Sequence, residues 1–248
     1  MLAIIGGTGL TQLANLEITH RQVIRTPYGE PSGALTFGRI RDKDVVFLAR
    51  HGYGHTIAPH DVNYRANMWA LHSRGVKDVV SVASVGGIHP DLTPGRIVIP
   101  DQIIDYTWGR KSTYREGNET PVVHLDFTEP YCEEMRQLCM RAAEAAGEEY
   151  VAGGVYACTQ GPRLETKAEI DRLERDGATM VGMTGMPEAI LARELGLCYA
   201  HLGVVANHAA GRGGSARGIR LTDVESVLKD AMQRVRVILE HLVALHGS

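Results

Sequence analysis

Short runs of apolar, often β-branched residues alternate along the chain with stretches whose apolar positions recur every three or four residues. The short runs are residues 2–5, 45–49, 79–84, 96–99, 154–158, 180–183 and 199–205. They are rich in Val and Ile and lack a clean polar alternation, the pattern of strands covered on both faces. The stretches between them predict helices over 62–74, 131–146 and 167–176, halted by Gly75, Gly147 and Gly177. Another is opened by Pro187 and closed by Gly196. Glycine just past a helix supplies the left-handed turn, and proline suits the first helical position, where no N–H is needed. For the last helix, Thr222 and Glu225 have capping-box spacing, and Val224, Leu228, Ala231, Val235, Ile238, Leu239 and Leu242 form one apolar face. Strands alternating with helices predict an α/β fold, a single domain over 1–248. Its central sheet should be mostly parallel, mixed and twisted, with helices on its flanks. The polar stretches 109–121 and 211–217 read as loops too short to divide it.

Composition narrows the function. With 26 Lys plus Arg against 29 Asp plus Glu, net charge is -3, leaving no basic excess for a nucleic-acid partner. No apolar run approaches the ~20 residues of a membrane span. The N-terminal apolar stretch is short and lacks a basic region before it, unlike a signal peptide. The four cysteines form no CxxC pair, so they are expected to be reduced, mostly buried thiols of a cytoplasmic protein.

Four strand ends carry candidate chemistry. Gly6-Gly7-Thr8-Gly9 after the first strand can form a nest of N–H groups for an anion, with Thr8 adding a hydroxyl. It is no dinucleotide fingerprint, because Gln12 takes the third glycine position, and no Gly-Lys-Ser/Thr of a P-loop follows. A plain tight turn fits the same residues. Arg50 and His51 end the next strong strand, where α/β sheets bind ligands, and a guanidinium matches phosphate oxygens. A surface ion pair is the alternative for Arg50. His51, His55 and His60 have only Asp61 as a further ligand type nearby and no HExxH, so no metal site is expected. Ser84 before Gly86-Gly87, and Thr184 at a helix N-terminus, add two more donors. Converging, the four segments favour a phosphate site.

Taken together, IIGGTGL, LARHG, VNYRANMWAL, GPRLET, VGMTGMPEAI and the last helix resemble the trimeric purine nucleoside phosphorylase and methylthioadenosine phosphorylase family. The motifs run in family order through nearly the whole chain. The resemblance implies phosphate contacts from Thr8, Arg50, His51, Ser84 and Thr184, a ribose platform at Met183, and His124 lent to a neighbouring subunit of a homotrimer. Partners would be a small nucleoside and phosphate as co-substrate, with no metal and no organic cofactor.

Three positions select the substrate. Family members acting on 6-aminopurines carry serine where this chain has Glu165, and an Asp-x-Asp pair where it has Asn207-His208-Ala209. A Glu165 carboxylate can accept the N1–H of hypoxanthine but would face the bare N1 of adenine, and the Asn207 amide can donate to O6 or N7. Those two are the expected catalytic contacts, with His208 and Ala209 beside them. Without the resemblance, a helix N-terminal acid is the alternative reading of Glu165, and a turn former before Gly211 that of Asn207. Val224 takes the place of a histidine that meets the ribose 5′-hydroxyl in inosine-cleaving members, and with Leu228 it would form an apolar pocket for a thiomethyl group. Core packing is their other reading. The combination implies phosphorolysis of methylthioinosine to hypoxanthine and 5-methylthioribose 1-phosphate. Methylthioadenosine phosphorolysis, general 6-oxopurine nucleoside phosphorolysis and non-catalytic nucleoside binding are the alternatives.

Overall fold

A computed structural model describes residues 1–117 and 121–247. The strands are β1 (Leu2–Gly6), β2 (Glu17–Gln22), β3 (Leu35–Ile40), β4 (Lys43–Ala49), β5 (Asp78–Gly87), β6 (Ile97–Ile99), β7 (Gln102–Asp105), β8 (Tyr150–Ala152), β9 (Val155–Cys158), β10 (Met180–Gly182) and β11 (Cys198–His208). The helices are α1 (Tyr64–Ser73), α2 (Glu133–Ala145), α3 (Lys167–Arg175), α4 (Gly185–Glu194) and α5 (Leu221–Leu245). Buried β1 lies parallel between β4 and β5, and β11 runs parallel along the other side of β5. Successive side chains of a strand point to opposite faces. Leu2 and Ile4 therefore pack with α2 and α5, while Ala3 and Ile5 pack with α1 and α4. This double cover is why these strands read as unbroken apolar runs.

Beyond that centre the sheet is mixed. The tip of β5 pairs antiparallel with β10, which continues in parallel through β9 to β7. β11 pairs antiparallel with β6, and β6 in parallel with β8. β2 and β3, absent from the sequence pattern, extend the β4 edge antiparallel. β2 is polar and exposed along most of its length, so no burial shaped its sequence. Gly38 in β3 admits it closely, since a Cβ there would lie 2.5 Å from the Glu17 carbonyl oxygen.

Several local expectations need correction. Thr222 sits inside the first turn of α5, after its N-cap Arg220, so the Thr222–Glu225 capping box does not form; Arg220 instead pairs with Asp223 at 2.9 Å. The motif does occur at α3, where Thr166 accepts from the Glu169 N–H and Glu169 accepts from the Thr166 N–H. Met186 is extended (φ -121°, ψ 138°), so the continuous part of α4 opens at Pro187 as expected. Cys132 and Cys198 are joined in a disulfide rather than free, because α2 starts beside β11, where the Cys132 N–H donates to the Tyr199 carbonyl. Their sequence separation of 66 hid this neighbourhood. Cys139 and Cys158 are buried free thiols, each pushed up to about 12 by burial. Among the described residues no helix is long and apolar enough to cross a membrane.

Two histidines make this fold sensitive to acid. His201 of β11 is fully buried with neither ring nitrogen partnered among the described residues. Burial, then the charge of Arg50, pushes it down to about 3, and His51 to about 4. Both stay neutral in the folded chain but take a proton in the unfolded one below about 6.5. Stability is therefore complete above that pH and falls on acidification, by up to about 1.4 kcal/mol per unit for each group. His201→Leu should lower the slope of unfolding free energy against pH between about 6.5 and 4.5 by up to about 1.4 kcal/mol per unit. Urea unfolding at a series of pH values measures it, and an unchanged slope would acquit His201.

Candidate active site

The carboxyl ends of β1, β4, β5, β10 and β11 surround a cavity of about 470 Å³, the size of a small-molecule site. Of the residues singled out in the sequence, Thr8, His51, Ser84, Thr184, Met183, Glu165, Asn207, Ala209 and Val224 line it. Arg50, His208, Leu228 and His124 do not.

At one end are hydroxyls. Thr8 follows β1 on the glycine turn, and its Oγ1 shares a hydrogen bond with His55 Nε2 at 3.0 Å. Ser84 comes from β5 and Thr184 from the turn after β10. His51 donates through Nδ1–H to the Ile57 carbonyl at 2.8 Å, which leaves Nε2 as an acceptor. Burial, then the neighbouring Arg50 charge, holds this imidazole neutral at pH 7.

Arg50 itself departs from the expected direct contact. It is fully buried one layer below, where Nε and Nη2 donate to the two carboxylate oxygens of Glu188 at 2.7 and 2.9 Å. Nη2 also donates to Ser81 Oγ and Nη1 to the Val82 carbonyl. Ser81 and Tyr199 donate to Glu188 Oε1 at 2.6 and 2.7 Å. Burial works against both charges, but mutual attraction and these bonds outweigh it, holding Glu188 below the usual glutamate range and Arg50 protonated. The guanidinium stays close to the cradle, for a Cβ on Gly7 would lie 2.7 Å from Nη1.

The opposite end is amide and carboxyl. Glu165 Oε1 accepts from Thr159 Oγ1 at 2.7 Å, and burial pushes its pKa up. Asn207 follows an irregularity in β11, where pairing with β5 shifts between Val205 and Asn207. Such a bulge re-aims the side chain beyond it. One Asn207 N–H donates to the His208 carbonyl at 2.7 Å, leaving the other for a ligand. His208 turns away against Gly213 and, with Ser215 and Arg220, lines an adjoining cavity of about 150 Å³ that shares Asn207 and Val224 with the first.

Along the cavity side, Met183 packs on Gly161, where a Cβ would lie 2.4 Å from its sulfur. Val224 lines the cavity from the first turn of α5 beside Ile219 and Leu221 and also packs against the core cluster that holds Leu228, which itself does not reach the cavity. Leu228 lies one turn deeper in the core with Met232, below Gly9. His124 is exposed and outside the cavity of its own chain. Sequence reasoning missed His55, Ile57, Ile219 and Leu221 as lining residues. His55 had only its spacing from His51 as a signal, and its positive φ of 51° is invisible in sequence.

The chain matches the Phosphorylase superfamily over residues 1–244. It is 50% identical to the probable S-methyl-5′-thioinosine phosphorylase of Pseudomonas syringae pv. tomato, over 98% of each chain. It is 46% identical to the 6-oxopurine nucleoside phosphorylase of Pyrococcus furiosus, over 96% of this chain and 90% of that one. Its fold is similar to methylthioadenosine phosphorylase from Schistosoma mansoni in complex with adenine. The TM-score there is 0.94 at 32% identity, covering 99% of this chain and 91% of that one.

The buried ion pair below the cradle gives a stability test. Glu188→Ala would strand the Arg50 charge in the interior and should cost about 3–5 kcal/mol, whereas Arg50→Met with Glu188→Leu should recover most of that loss. Urea unfolding of the three proteins measures it. A Glu188→Ala protein within about 1 kcal/mol of the parent would mean that water or another group compensates Arg50.

Proposed function

The chain belongs to the phosphorylase superfamily, and from that premise we propose that it is a purine nucleoside phosphorylase-type pentosyltransferase that cleaves S-methyl-5′-thioinosine with inorganic phosphate. The products are hypoxanthine and 5-methylthioribose 1-phosphate. One observation carries the choice of substrate: Glu165 and Val224 line the same cavity as the hydroxyls of Thr8, Ser84 and Thr184. Phosphate sits at the hydroxyl end, its P–OH donating to the neutral His51 Nε2. The charge of Arg50 acts on it from behind Gly7. Met183 supports the ribose, and Ile219, Leu221 and Val224 enclose the thiomethyl group.

The C1′–N9 bond breaks with its electron pair moving into the purine, a phosphate oxygen forms the new bond to C1′, and the proton the phosphate gives up ends, through solvent, on the released hypoxanthine. Glu165 accepts the N1–H, and the free Asn207 N–H donates to O6 or N7, where negative charge grows. The gain comes from preorganised groups, without a covalent enzyme intermediate. No metal or organic cofactor enters this scheme. His124, exposed beside Val122 and Val123, fits a residue offered to a second copy in a homotrimer. A cytoplasmic location is part of the same proposal.

General 6-oxopurine nucleoside phosphorolysis is the second reading, favoured by the 46% identity to the Pyrococcus protein. Assaying methylthioinosine, methylthioadenosine, inosine and adenosine, each with and without phosphate, separates them. Methylthioinosine should be fastest and cleavage phosphate-dependent. An apolar pocket rejects a hydroxyl by only about 10², so inosine should be slow but measurable. A preference for methylthioadenosine would overturn the base assignment.

Two further outcomes follow from the geometry. Because burial raises the Glu165 pKa, acidification protonates it before an ordinary glutamate. The acceptor then becomes a donor, matched to the bare N1 of a 6-aminopurine. The ratio of kcat/KM for methylthioinosine over methylthioadenosine should fall as the pH is lowered, and Glu165→Gln should abolish that dependence; steady-state kinetics across pH decide it. Val224→His supplies a partner for the 5′-hydroxyl and crowds the thiomethyl group. The inosine-to-methylthioinosine kcat/KM ratio should rise about tenfold or more, with base preference kept. An unchanged ratio in the folded variant would remove Val224 from the pocket.

A further inference from the structure

Arg110 was no candidate in the sequence, and its surroundings are unusual for a guanidinium. Among the described residues no carboxylate pairs with it. Its N–H groups go to neutral oxygens, most of them on two turns, with the Tyr64 hydroxyl of α1 as a further acceptor of Nη1 at 3.3 Å. Nη1 donates to the carbonyls of Met183 and Met186 at 2.8 and 2.7 Å, on the turn between β10 and α4. Nη2 donates to the Gln160 carbonyl at 2.9 Å, and Nε to Gln160 Oε1 at 3.2 Å, on the turn that leads to Glu165. The guanidinium also lies over the Tyr64 ring at 5.5 Å. Those two turns meet face to face, since Gly161 leaves room for the Met183 side chain. One carries the sugar platform and the other the base acceptor. The planar fork of Arg can bond both at once in fixed geometry, which a lysine ammonium cannot.

We propose that Arg110 is a positioning residue that sets the distance between Met183 and Glu165, and so the fit of the nucleoside. The inference rests on reading this cavity as a nucleoside site. Thr8, on the turn after β1, and Ser84 of β5 lie on segments Arg110 does not touch, whereas Thr184 shares the clamped Met183–Met186 turn, so the phosphate end depends on Arg110 through one of its three hydroxyls only. Misplacing a bound group by about 1 Å can cost about 10²-fold in rate.

The test is steady-state kinetics of Arg110→Lys, with thermal melting to check folding. It uses whichever of the four nucleosides the parent cleaves fastest, so that a wrong substrate assignment leaves it standing. The expected result is a fall of about 10²-fold in kcat/KM for the nucleoside, with a much smaller change in the phosphate KM, since Thr8 and Ser84 keep their places and only Thr184 shares the clamped turn. Parental nucleoside kinetics would overturn the proposal. So would equal losses toward nucleoside and phosphate, the mark of a general structural role. If Arg110→Lys does not fold, Gln160→Leu removes one anchor of the clamp and carries the same comparison. A selective nucleoside defect there supports the proposal, and parental kinetics overturn it.

Discussion

The cavity depends on a charge pair that never reaches it. Arg50 at the end of β4 and Glu188 at the start of α4 are both fully buried, and Ser81 of β5 and Tyr199 of β11 complete their bonds. Four elements distant in sequence thus meet at one carboxylate. Taking two ions from water is costly, and the pair contributes little net stability over an apolar replacement. What it contributes is register. Each donor on the carboxylate comes from a different strand, so the pair is satisfied in one mutual arrangement of those strands, and that arrangement is the floor beneath Thr8, Ser84 and Thr184.

The electrostatic result differs from a cluster of exposed cations. The positive charge of Arg50 is balanced within 3 Å by Glu188, and His51 is neutral. An anion at the hydroxyl end would meet oriented O–H and N–H dipoles, with the guanidinium acting through one layer of backbone. Dipoles fixed in a buried site need not reorganise as charge moves during reaction. The carboxylate of Glu165 stands at the other end, where it does not compete for those donors.

How much of this was readable in the sequence follows from what kind of burial shaped each residue. The doubly covered strands and their glycine-rich ends were legible because apolar runs and glycines record backbone constraints locally. β2 was not, because an exposed edge strand has no burial pattern to betray it. Arg50 was legible as a ligand-end residue, but its partner lies 138 residues away and carries no spacing signal. The Thr222–Glu225 spacing was misread because the chain enters α5 two residues earlier, at Leu221. Arg110 left no trace because its partners are chiefly main-chain carbonyls, and any sequence provides those.

This division has a consequence for how specificity can change. The groups that would choose the substrate, Glu165, Asn207 and Val224, sit on a turn, at a bulged strand end and in the first turn of a helix. None of them bonds to Arg50 or Glu188. Substitutions without shared partners act nearly independently. The Glu165–Asn207 end and the Val224 side of the cavity can therefore change chemistry without disturbing the pair that aligns the strands, while the hydroxyl end, built on those strands, cannot be altered so freely. One sheet can then carry nucleoside sites of different selectivity over a constant anion floor.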